Sequence, residues 1–342
     1  MKVLKNVLFL SILSLCFNKA DACSDFQIKA KDGSIVIGRS MEFPVDLHSK
    51  LWVVPRSIKN KYAFLGMDSM GKQALISDGM NEKGLSIESL VYGDTKYQTA
   101  VPGVKSVPSS DFPTYILGNF ETVEEVKKGL NNIRVVGIVI KELGGVQGFH
   151  FAIHDAKKNN LVVEFINGEV HIYNNPLGVM TNAPDFNWQI SNLSNYINLD
   201  SHDKKAFSMN GQNIKSTGVG SGLLGLPGDW TPPSRFVKLS WCVSSANPVK
   251  DASAAVNLAE HILNAVDIPI GTIKEAHNLY GYAQWSVIKD LTNKVLYYRT
   301  YEDTTLKAVD IKKLNLNMGA SPKSIPLKDG SKGIVNITEK LI

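Results

Sequence analysis

From Cys23 onward, apolar and polar positions alternate across a short polar break, the pattern of a β-hairpin. In "CSDFQIKA" Phe26 and Ile28 share one face, "KDGS" supplies an Asp-Gly turn, and "SIVIGRSMEF" continues with β-branched residues. Taking Asp32-Gly33 as a two-residue turn sets Lys31 against Ser34. That register puts Glu42 across from Cys23 and turns Arg39 to the opposite face, so Arg39 needs a bulge, or a reach around the strand tip, to share the site with Cys23. Further strand patterns follow in "LWVVP", "YAFLGM", "ALISDG" and "GLSIESLVY", then in "GFHFAIHD", "NLVVEFIN" and "EVHIYNN". Helical spacing lies between and after them. "ETVEEVKKGLNNI" opens on Thr122-x-x-Glu125, a capping box. "SNLSNYI", "SRFVKLSWCVSSA" from Ser234 and the Ala-rich "KDASAAVNLAEHILNAV" from Lys250 also read as helices. "YAQWSVIKDLTNKVLYYRTYED" reads as a closing hairpin with its turn near Asn293. Strands, then helices, then strands predict an α+β fold with mainly antiparallel sheets.

The first 22 residues have a different texture. Lys2 and Lys5 precede an apolar run from Val7 to Phe17, and Ala20-Asp21-Ala22 follows. This is the anatomy of a secretory signal peptide. The run is shorter than the roughly 20 residues that span a bilayer, so no stable membrane anchor is expected. Cleavage after Ala22 makes Cys23 the first residue of an exported, periplasmic or secreted, chain. Residues 23–342 then form one domain, since repeats, low-complexity tracts and Pro- or Ser-rich linkers are absent from the sequence. Cys16 leaves with the leader. Cys23 and Cys242 are too few for a disulfide framework, although a single bridge between them stays open.

Composition narrows the partners. Hydrophobic residues make up 44% and charged residues 20%, as in ordinary globular chains. The net charge of +5 is carried partly by Lys2, Lys5 and Lys19 of the leader. No basic stripe interleaves with aromatics, so nucleic acid is not an expected partner. A G-x-G-x-x-G spacing at Gly220–Gly225 follows no clear strand and is broken by "LPGDW", so it reads as a loop.

An N-terminal cysteine carries a thiol and a free α-amine on one residue. The thiolate is the nucleophile. An α-amine titrating near pH ~8 can accept the proton of a thiol near ~8.5, directly or through a water. No histidine and no cofactor are then required. His150 and His154 share a strand face, but their flanking sequence offers no further ligands, so they read as structural and no metal is expected. Phe186 and Trp188 of "DFNWQ" read as core and helix entry.

These blocks resemble the choloylglycine hydrolase family, which contains bile-salt hydrolases and penicillin V acylases. The resemblance rests on "CSDF…DGSIVIGRSMEF", "YAFLGM", "DGMNEKGLSIESL", "GVMTNAPDFNWQISNLSNY" and "GSGLLGLPGDWTPPSRFVK", in that order along most of the chain. It implies a four-layer αββα sandwich of N-terminal nucleophile hydrolase type. It also implies roles: Cys23 as nucleophile and, through its amine, base; Arg39 beside it; Asn182 as oxyanion donor; Arg235 as a second arginine. Glu42 stands where the family usually has aspartate. Val91 stands where many members have Asn or Tyr, and its side chain donates no hydrogen bond. The oxyanion hole would then rest on Asn182 and a backbone N–H at Val91 or Tyr92.

The implied reaction is hydrolysis of a linear amide of a small molecule, a conjugated bile salt or a penicillin V-like acyl amide. An acyl-homoserine lactone or fatty amide is the alternative substrate. Tetramers among relatives suggest a homo-oligomer by analogy. A reading of another class makes Cys23 the lipid-bearing residue of a non-catalytic binding protein. Lys19 and Asp21 suit lipid attachment badly.

Overall fold

The computed structural model describes residues 22–274 and 279–335. The predicted leader, apart from Ala22, lies outside the described residues. The hairpin is present as β1 (Cys23–Lys29) and β2 (Ile35–Phe43), followed by β3 (Lys50–Val54), β4 (Phe64–Asp68), β5 (Ile76–Asn81) and β6 (Leu85–Val91). Two large sheets result. In the first, β1 and β2 lie between the short strand Val179–Met180 and the long strand Tyr280–Asp290, with Val295–Thr300 and Lys307–Asp310 beyond it. The second runs Glu169–Asn174, Asn160–Ile166, Phe149–Asp155, β6, β5, β4, β3, Lys323–Pro326. Every pairing within the two sheets is antiparallel.

The five α-helices among the described residues are α1 (Phe112–Asn119), α2 (Val123–Leu130), α3 (Phe186–Asn192), α4 (Pro232–Ser245) and α5 (Ala252–Asn264). α1 and α2 cover the second sheet, and α4 and α5 cover the first, which gives the expected αββα layering. Alternation explains the order of the layers. On the second sheet, Leu85, Ile87, Phe151, Ile153, Leu161 and Val163 face the helices and pack with Phe112, Ile116, Val123 and Val126. On the first, Phe26 and Ile28 join Phe236 and Leu239 of α4 and Ala259 and Leu263 of α5. Both sheets therefore direct apolar side chains to their helices. Their facing surfaces take the other set of positions, which includes buried charged residues.

Local chemistry sets the helix ends. Thr122 Oγ1 accepts the Glu125 N–H at 3.2 Å, as the capping box predicts, but the Glu125 carboxylate returns to the N–H of Glu121. Asp251 caps α5 through the Ala254 N–H. α1 is an element that the patterns above did not identify; Pro113 starts it and Phe112, Ile116 and Leu117 form its buried stripe.

The hairpin register differs from expectation by one residue. Lys29 pairs with Ile35, and Ala30 and Ser34 are joined by a backbone bond, so the loop has three residues, Lys31 to Gly33. Gly33 takes φ +91°, the left-handed conformation that closes such a turn. A one-residue slip exchanges the faces. Met41, not Glu42, opposes Cys23, and Arg39, opposite Asp25, shares the inner face with Cys23 without any bulge.

Candidate active site

Cys23 begins β1 and is 1% exposed. Its sulfur lies 3.7 Å from Arg39 Nη2 and 3.9 Å from Met41 Sδ. Arg39 Nη2 also donates to the Ser89 carbonyl at 3.0 Å. The guanidinium carbon sits 4.6 Å from the centre of the Trp285 ring, a cation–π contact with a residue that the sequence did not mark. A register shift between Ala283 and Trp285 sets Trp285 opposite Met41.

Backbone and side chains from distant segments hold the rest of Cys23. Its nitrogen donates to Asn182 Oδ1 at 2.6 Å. Its carbonyl accepts from Arg235 Nη1 at 2.6 Å, and that nitrogen also reaches Ser24 Oγ at 2.7 Å. Arg235 Nη2 donates to Asn182 Oδ1 at 2.8 Å. Arg235 is placed by the first turn of α4, where its Nε donates to the Trp230 carbonyl. Asn182 follows the strand Val179–Met180. Its loop is pinned by Thr181 Oγ1 to the Pro232 carbonyl, Gln189 Nε2 to the Asn182 carbonyl, and the Phe186 N–H to Glu164. Glu164 in turn meets His150 Nδ1 at 3.1 Å, and the His150 ring stacks on Tyr92 at 5.0 Å.

Asn182 Nδ2 donates one hydrogen to the Val91 carbonyl at 2.8 Å and keeps a second N–H. Of the two backbone donors expected near Val91, Tyr92 is committed to the sheet, donating to Gly148 at 2.9 Å. In an antiparallel ladder N–H and C=O of one residue point to the same side. The Val91 N–H therefore points to the side where its carbonyl meets Asn182.

Glu42 lies on the helix side of β2. Its N–H donates to the Ala22 carbonyl at 3.0 Å, and its carboxylate is buried. Burial pushes its pKa up to about 7, against the opposing pull of Arg235, Ser40 and Arg39. The expected pairing of Glu42 with Cys23 is thus replaced by a pairing with position 22. Cys23 and Cys242 are not bridged to each other; burial raises the pKa of Cys242.

The histidines are not isolated. His154 Nε2 lies 2.8 Å from Asp25 and 3.4 Å from Glu88, and its Nδ1 contacts Asn160 at 2.8 Å. The partners come from other strands, which is why flanking sequence did not reveal them. Asp25, Glu88 and His154 are close enough to share a cation. Burial disfavours the charged imidazole, but Asp25 and Glu88 outweigh it and raise His154 to about 9. Both ring nitrogens of His154 thus face side-chain oxygens, Nδ1 that of Asn160 and Nε2 that of Asp25. Trp188 departs from its expected place: it is 44% exposed, whereas Phe186 is core.

The profile described as "Linear amide C-N hydrolases, choloylglycine hydrolase family" matches residues 23–324. This chain belongs to the choloylglycine hydrolase family. As its family description states, it is an amidohydrolase of linear amides. It is 32% identical over 312 residues to a bile salt hydrolase/transferase of Clostridium perfringens (strain 13 / Type A), spanning 86% of this chain and 94% of that one. The fold is similar to that of a mutant conjugated bile acid hydrolase from the same species, with a TM-score of 0.84, 30% identity and coverage of 92% and 99%. A penicillin V acylase from Agrobacterium tumefaciens shares the fold at a TM-score of 0.74 with 21% identity, covering 90% of this chain and 92% of its own.

Proposed function

We propose that this amidohydrolase is exported and uses Cys23, freed by removal of residues 1–22, as an N-terminal nucleophile on conjugated bile salts or penicillin V-like acyl amides. The observation that carries the reading is the convergence on one residue. Arg39 touches the sulfur of Cys23, Asn182 its nitrogen and Arg235 its carbonyl. Three separate segments thus fix a residue whose sulfur and nitrogen must both be positioned for this chemistry.

The Cys23 amine takes the thiol proton, and the Arg39 charge favours the thiolate. The sulfur attacks the amide carbonyl. The second N–H of Asn182 and the N–H of Val91 receive the developing oxyanion. The Cys23 ammonium returns its proton to the departing amine, leaving a thioester. Water, deprotonated by the same amine, cleaves the thioester and releases the acid and the thiol. The Glu42 N–H donates to the Ala22 carbonyl, next to the Cys23 nitrogen, and in this reading the Glu42 carboxyl helps to hold the new ammonium.

The buried sulfur supports catalysis over lipid anchoring, because a lipid on Sγ would have to occupy the space between the sheets. The hairpin Phe207–Met209/Gln212–Ile214 is exposed along its length, with Phe207 and Met209 more than half exposed. It supports assembly into a homo-oligomer.

A hydrolysis panel of glycine- and taurine-conjugated bile salts, penicillin V and acyl-homoserine lactones tests the reading. Turnover of a bile salt or penicillin V that disappears in Cys23→Ala is the expected result. Retained turnover in Cys23→Ala, or turnover of the lactones alone, contradicts it.

A further inference from the structure

Six ionisable side chains form a row between the sheets next to Cys23: Arg39, Asp78, Lys289, Glu88, His154 and Asp25, none exposed. The row sets three basic side chains among three carboxyl groups. Asp78 and Glu88 are directly opposed on β5 and β6, a like-charge pair that repels on a shared face. Lys289 reaches them from the first sheet. Its Nζ contacts Asp78 Oδ2 at 2.8 Å and also binds Glu88 Oε1. The same Asp78 oxygen lies 3.9 Å from Arg39 Nε. One carboxylate oxygen thus has two cationic neighbours, and Lys289 is the nearer.

A carboxylate and a guanidinium otherwise favour a close two-pronged pair. Here Arg39 Nη2 reaches the Ser89 carbonyl and the Cys23 sulfur instead. We propose that Lys289 is a positioning residue for the reaction: by holding Asp78 it leaves the Arg39 charge to act on the Cys23 sulfur. Stability alone gives little reason for such a row, since buried ion pairs recover little of their desolvation cost compared with hydrocarbon. The other charged groups around the site do not do this work. Asp25 is held by His154, and Glu42 and Arg235 lie on the far face of the first sheet. Burial opposes the Lys289 charge, but Asp78 and Glu88 raise its pKa, so it stays protonated.

The inference rests on Cys23 as nucleophile. Its test is the pH dependence of iodoacetamide alkylation at Cys23, located by mass spectrometry, in mature wild type, Lys289→Met, Asp78→Asn and the double variant. Lys289→Met should move the alkylation midpoint to higher pH by about one unit or more, because Asp78 then captures Arg39. The double variant should recover most of that shift, since the competing carboxylate is gone. Asp78→Asn alone should move the midpoint to lower pH, and it decides the matter if Lys289→Met does not fold. An unmoved midpoint in Lys289→Met, a double variant as shifted as the single, or an unmoved or alkaline midpoint in Asp78→Asn overturns the proposal. Turnover surviving in Cys23→Ala would instead sink the nucleophile assignment and leave these midpoints to judge Lys289 separately.

Discussion

Asn182 makes two kinds of contact with one short side chain. Its oxygen receives the Cys23 nitrogen and Arg235, and its amide group faces Val91. Asn182→Ala should lower kcat by about 10²–10³-fold, the usual loss for one oxyanion donor; steady-state kinetics on the best substrate of the panel measures it, and a change under threefold would remove Asn182 from the hole. Glu42 carries a different prediction. In the folded chain it holds its proton up to about pH 7, whereas its ordinary value is 4.5. Between those values the folded state binds the extra proton, so this group lowers stability as pH rises, by at most roughly 3 kcal/mol in total. Glu42→Gln should therefore flatten the fall in unfolding free energy between pH 5 and 7.5, followed by urea titration. An unchanged slope would mean that Glu42 ionises normally.

At the level of elements, the hairpin was legible and its register was not. Alternation marks β1 and β2, but a two-residue and a three-residue turn differ only in how Gly33 is used, and that one residue decides which of Arg39 and Glu42 joins Cys23. Helices α2, α4 and α5 were legible from caps and spacing, whereas α1 hides its buried stripe in eight residues. The charged row was not legible for a simpler reason. His150 and His154 alternate with Phe151 and Ile153, a pattern that also describes a half-solvated strand, and nothing local says that a second sheet covers the polar face. Two glycines test the packing. Gly33→Ala meets open space but keeps a positive φ, so it should cost about 1 kcal/mol. A Cβ at Gly38 would lie 2.4 Å from the Phe26 ring. Gly38→Ala should cost roughly 1–3 kcal/mol by overpacking, and more than Gly33→Ala in the same urea titration. The reverse order would contradict the packing of β1 on β2.

Over the whole molecule, a four-layer stack brings Cys23 into the interior and then surrounds it with side chains from Arg39 to Arg235. Such a site cannot be assembled until the fold is complete, and on this account it does not work while Cys23 is still an amide. The decisive measurement is the turnover of protein whose first residue is Ala22, compared with protein that starts at Cys23 and is otherwise identical. Loss of essentially all activity with Ala22 attached is the expected result, since the proton acceptor is then part of a peptide bond. Equal turnover by the two proteins would contradict the account at its centre.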